Sequence, residues 1–162
     1  MPIYSKIFSD AEIVDLVRNK YKSVLLAACG GCMNESLAFD LHLPITTYIN
    51  ENKRHPAIYA ECTRIAHMLN DIGIIADTLI FPGGSNSRCI INLCAPQYPI
   101  HNSDSQEVIY DAILMLSCTA GFTWISRQIR DIPVFIITRQ KGMLSYTTDD
   151  DSKIDSGKIT PF

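Results

Sequence analysis

Short apolar runs punctuate this chain, and between them lie segments in which apolar residues recur every three or four positions. Val24-Leu25-Leu26-Ala27-Ala28 is one such run, Ile74 to Phe81 another, and Ala112 to Ser117 a third. Runs of this length with few interruptions are expected of strands covered on both faces. Strands are therefore predicted at Ser23 to Ala28, Ile74 to Phe81, Ala112 to Ser117 and Pro133 to Thr138.

The intervening segments carry helical signals. Ser9 with Glu12 makes a capping-box pattern ahead of Ile13, Leu16 and Val17, which predicts a helix from about Asp10 to Lys20. A short helix is expected over Asn34 to Leu41, stopped before Pro44. Pro56 suits a first helical turn, Ile58, Cys62, Ile65 and Leu69 share one stripe behind it, and Gly73 supplies the stop. Pro82-Gly83-Gly84 turns the chain toward a short helix over Ser85 to Leu93, and Ser103 with Gln106 repeats the capping pattern. Phe122, Ile125 and Ile129 mark one side of a last helix. Ile45 to His55 has no clear period and reads as an inserted loop.

Strands alternating with helices imply a parallel sheet with right-handed crossovers. The fold class expected is α/β: a single-domain, three-layer Rossmann-like fold with a mostly parallel sheet of about four strands. Residues 1–144 form the cysteine-rich domain in this reading, and 145–162 a polar C-terminal tail in which Asp149 to Asp151 is a solvated charge run.

Composition narrows the function classes. A chain of 162 residues fits one domain, and a formal net charge of −3 with scattered basic residues argues against nucleic-acid binding. No stretch reaches the roughly 18 apolar residues that span a bilayer. Met1 to Asp15 carries Asp10, Glu12 and Asp15 in place of the apolar core of a signal peptide, so a cytoplasmic location is expected. In a reducing compartment, six cysteines point to metal binding or redox chemistry rather than to a disulfide framework.

Three of those cysteines follow apolar strands. Cys29-Gly30-Gly31-Cys32 ends the first run, Cys89 follows the second past its Gly-Gly turn, and Cys118 ends the third. The carboxyl ends of parallel strands share one edge, where ligands of open α/β sheets bind. Cys29, Cys32, Cys89 and Cys118 are therefore the expected metal ligands, for zinc or an iron–sulfur cluster. The same CxxC spacing also serves dithiol oxidoreductases, and two buried structural cysteines would look alike in sequence. Cys62, on a buried helix stripe, and Cys94, five residues after Cys89, are reserve ligands. His42, His55, His67 and His101 show no shared spacing, and Phe81 to Asn86 lacks the established phosphate-loop patterns.

The strand into Cys29-Gly30-Gly31-Cys32, together with Leu116-Ser117-Cys118-Thr119-Ala120-Gly121, resembles a known family. It is the C-terminal domain of methylenetetrahydrofolate reductases, a separate small subunit in acetogenic bacteria. Cys29 and Cys32 match its Cys-Gly-x-Cys motif, Cys118 its Leu-Ser-Cys-Gly-Val-Gly-like stretch, and Cys89 the cysteine between them. The chain departs from the family at Ser36, where a further cysteine is usual, and in the Met33 to His55 stretch, where a Gly-Gly-Glu helix start would follow at once. The resemblance implies an iron–sulfur cluster or zinc, and an accessory, electron-transfer role in one-carbon metabolism beside a flavin-containing reductase or another one-carbon enzyme. The alternatives are a thiol-dependent enzyme using the Cys29-x-x-Cys32 pair and a purely structural zinc domain. Phe122 or Trp124, if exposed, is the aromatic anchor expected at a partner interface on the same edge; the alternative is that both are core residues of their helix.

Overall fold

A computed structural model describes residues 2–49, 52–81 and 109–162. The apolar runs become a four-stranded sheet. Its strands are β2 (Ser23–Cys29), β5 (Ile75–Phe81), β6 (Ala112–Leu116) and β7 (Val134–Ile136), in the order β5-β2-β6-β7 and all parallel. Every residue of β6, and every residue of β2 after Ser23, is buried. That is the burial expected of central parallel strands with helices on both faces.

The helices are α1 (Asp10–Val17), α2 (Cys32–Leu41), α3 (Pro56–Asp71) and α4 (Thr119–Gln128). The capping box forms as read: the Ser9 hydroxyl accepts from the Glu12 N–H, and the Ser9 N–H donates to the Glu12 carboxylate. α1 stops at Val17, short of Lys20, and Asn19 just beyond it is left-handed. Pro56 does begin α3, Ile58, Cys62, Ile65 and Leu69 are all buried, and Gly73 takes the positive φ of 84° that ends the helical path.

A second sheet is the main departure from the expected single Rossmann-like unit. β1 (Ile3–Ile7), β8 (Thr138–Thr148) and β9 (Ile154–Pro161) pair antiparallel in the order β1-β8-β9. The segment expected to be a polar tail, 145–162, thus forms the end of β8, a turn and β9. The turn is built by the acidic run itself, since the Asp149 carboxylate accepts from the N–H groups of Asp151 and Lys153. The expected loop at Ile45 to His55 contains a small hairpin of β3 (Thr47–Ile49) and β4 (Asn52–Arg54), and Ile45 is tied back to Ser152.

α2 lies between the two sheets. Met33, Asn34, Ser36, Leu37 and Ala38 are all buried, too many neighbours in sequence for one narrow stripe. One side of the helix packs on the parallel sheet and α3, while Ser36 bonds to β1 and the Phe39 ring stands edge-on to Tyr4. Among the described residues no helix is long and apolar enough to cross a membrane.

Candidate metal centre

Strand register decides which cysteines meet. β2 and β6 run parallel with Ala28 opposite Leu116, so Cys29 and Cys118 leave the sheet on neighbouring strands, which lie about 4.8 Å apart. Cys118 sits one residue beyond the position level with Cys29. In an unbroken pleat the two side chains would leave on opposite faces, but β6 ends at Leu116 and the chain bends at Ser117.

Both strands feed directly into helices. Gly31 is the N-cap of α2 and Cys32 its first residue; Cys118 is the N-cap of α4. Two helix N-termini therefore open at one sheet edge, and such ends favour anionic groups such as thiolates. The Gly31 N–H donates to Cys29 Sγ at 3.4 Å, and the Gly30 N–H continues the ladder to the Phe81 carbonyl at 2.8 Å. On the other strand, the Thr138 hydroxyl donates to the Ser117 carbonyl at 2.6 Å and fixes the backbone just before Cys118.

Cys29 and Cys118 are buried and Cys32 is half-buried. Thiolate sulfur has the softness that zinc and iron–sulfur clusters require. Among the described residues no group of three or more His, Cys, Asp or Glu is gathered so as to hold a metal ion. Cys89 and Cys94, with the expected helix at Ser85 to Leu93, lie outside the described residues.

Cys62 is placed differently. It is 1% exposed on the face of α3 turned to the core, and burial, with Glu61 adding to it, pushes its thiol up to about 12. Cys62 packs within the core cluster beside Ile58, Ile65 and Leu69 of the same helix stripe. His55 is buried at the N-cap of α3, and His42 closes α2 in the left-handed conformation. Phe122 is half-buried against the core, whereas Trp124 is exposed.

Two residues near this edge carry no signal in the sequence. Tyr146, on β8, lies close enough to Glu35, one turn along α2 from Cys32, for the carboxylate to act on its phenol. Burial first, and then the Glu35 carboxylate, raise the Tyr146 phenol well above its ordinary range, so it stays protonated as a donor. Asn34 is fully buried beneath the same turn, bonding to Ile45 and Ile58. Comparison with family models, with curated proteins and with solved structures gives no match to this chain.

Proposed function

We propose that this chain is a metal–thiolate module on a Rossmann-like core, with Cys29, Cys32 and Cys118 as ligands and Cys89 as the fourth. The observation that supports the reading most is the placement of Cys29, Cys32 and Cys118 where β2 and β6 end and α2 and α4 begin. Backbone N–H groups at that edge, of which the Gly31 N–H already meets Cys29 Sγ, are suited to stabilise thiolate charge. Bound there, an iron–sulfur cluster would supply one-electron transfer and zinc would supply structural closure. A reducing, cytoplasmic setting suits such thiols. The resemblance to the methylenetetrahydrofolate reductase small subunit makes an accessory role beside a flavin-containing reductase or another one-carbon enzyme the specific form of the proposal.

Anaerobic purification with metal analysis tests it. An iron–sulfur form is brown and absorbs near ~400 nm, and a zinc form is colourless with stoichiometric zinc. Colourless, metal-free protein from an anaerobic preparation would contradict the proposal. That outcome would favour the second reading, a thiol-dependent enzyme, which the position of Cys32 as first residue of the ten-residue helix α2 supports.

A further inference from the structure

Cys29 and Cys32 bracket a turn whose two ends are both fixed. On the strand side, the Gly30 N–H donates to the Phe81 carbonyl at 2.8 Å, so β2 keeps its place in the sheet through Cys29. On the helix side, the Glu35 N–H donates to the Gly31 carbonyl at 3.1 Å, so α2 is wound from Cys32 onward. Only Gly30 and Gly31 lie between, and both are in a turn. A four-residue turn brings its first and last Cα atoms within about 7 Å. Bridged cysteines have Cα atoms about 4.4–6.8 Å apart, so the spacing of this turn suits a bond between the two.

The two sulfurs differ in access. The Gly31 N–H donates to Cys29 Sγ at 3.4 Å, which folds that sulfur back over the turn, and Cys29 is 5% exposed. Cys32 is half-buried, whereas Cys29, Cys62 and Cys118 are buried, so among the described cysteines Cys32 is the one an incoming molecule reaches first. It is also the first residue of a ten-residue helix whose N-cap, Gly31, has no side chain to cap it, and such a helix start favours a thiolate.

We propose that Cys29 and Cys32 are a dithiol–disulfide couple that exchanges two electrons with small disulfides. The Cys32 thiolate attacks one sulfur of a disulfide R–S–S–R. That S–S bond breaks, the first RS⁻ leaves and takes up a proton, and a Cys32–S–S–R mixed disulfide remains. The Cys29 thiolate then attacks Cys32 Sγ and expels the second RS⁻, which is protonated in turn. The pair is oxidised by two electrons, the substrate disulfide is reduced to two thiols, and excess thiol runs the steps in reverse. The proposal deepens the thiol-dependent reading and uses no metal.

Glutathione is the probe. Reduced, chelator-treated protein is equilibrated anaerobically with mixtures of reduced and oxidised glutathione, quenched in acid, alkylated and mapped by mass spectrometry. The wild-type protein should lose the Cys29 and Cys32 thiols together, at one midpoint, with a bond between them and only a trace of glutathione adduct. Cys29→Ser should stop at a Cys32–glutathione adduct, and Cys32→Ser should take up little glutathione at Cys29. Cys62→Ser and Cys118→Ser should leave the wild-type midpoint unchanged. A wild-type protein that accumulates the Cys32 adduct without closing the bond overturns the couple and leaves thiol chemistry at Cys32 standing. A bond from Cys29 to Cys118 in place of Cys32 also overturns the couple. Absence of any adduct at Cys32 in Cys29→Ser overturns the thiol reading as well. Should Cys29→Ser not fold, wild-type protein quenched early in the reaction gives the same decision, because the adduct precedes the closed bond.

Discussion

Replacing Asn34 by Ala removes one side chain that serves two elements. Asn34 is fully buried; its Nδ2 donates to the Ile45 carbonyl at 2.7 Å, and its Oδ1 accepts from the Ile58 N–H at 3.2 Å. Ile58 is the third residue of α3, whose N-cap His55 makes no side-chain capping bond, so Asn34 caps α3 from a neighbouring helix. In Asn34→Ala, a buried donor and a part-buried acceptor lose their partner together. Each costs about 1–3 kcal/mol, and a net loss of about 3 kcal/mol follows after partial relaxation. For a chain of this size that corresponds to a fall in Tm of about 6–12 °C. Thermal unfolding followed by circular dichroism reads the shift, with urea unfolding to check that the m-value is preserved. Asn34→Asp adds a sign. Only its protonated carboxyl can both donate to Ile45 and accept from Ile58, so burial raises its folded pKa above the unfolded value. The stability it recovers is present below about pH 4 and is lost as pH rises through the folded pKa. An Asn34→Ala protein melting within about 2 °C of wild type would refute this account of the α2–α3 junction.

Cys29→Ser and Cys32→Ser should each remove most bound metal, because a hydroxyl is a poor ligand for soft metals, while Cys62→Ser should keep its metal and lose about 1–2 kcal/mol of stability. Metal per protein after desalting, set beside urea midpoints, separates the two classes. Glu12 is held down at about 2, first by its hydrogen bond with Arg139 and then by Ser9, against an ordinary value of 4.5. A depressed carboxylate stabilises the fold above its unfolded pKa and loses that contribution as pH falls toward 2, so Tm should drop across that interval and Glu12→Gln should flatten the drop. Gly142→Ala would push a methyl into the Thr160 carbonyl and the backbone at Pro161, separating β8 from β9 at a cost of about 1–3 kcal/mol by urea unfolding.

The parallel sheet was legible because its strands are nearly continuous apolar runs, and α1 and α3 because cap, stripe and stop residues agree at each end. The antiparallel sheet was not. β9 is mostly exposed, with polar residues and glycine through its centre, so no apolar period marks it as a strand. β1 is five residues long and is defined by pairing with β8 from the far end of the chain. α2 was legible only in part, because a helix covered on two sides loses the stripe that periodicity detects. The shared edge of Cys29 and Cys118 followed from strand polarity alone, the register showing them on neighbouring strands. Tyr146 had no sequence signal, since its place beside Glu35 depends on a sheet that the pattern does not announce.

The central claim is that sulfurs from β2, α2 and β6 share one metal, and X-ray absorption at the metal edge of anaerobically isolated protein tests it most directly. If zinc is the metal, the account predicts three or four sulfur neighbours at ~2.3 Å, with one fewer in Cys118→Ser; an iron–sulfur cluster should show iron neighbours as well as sulfur. A shell of nitrogen and oxygen alone, or a sulfur count unchanged in Cys118→Ser, would contradict it.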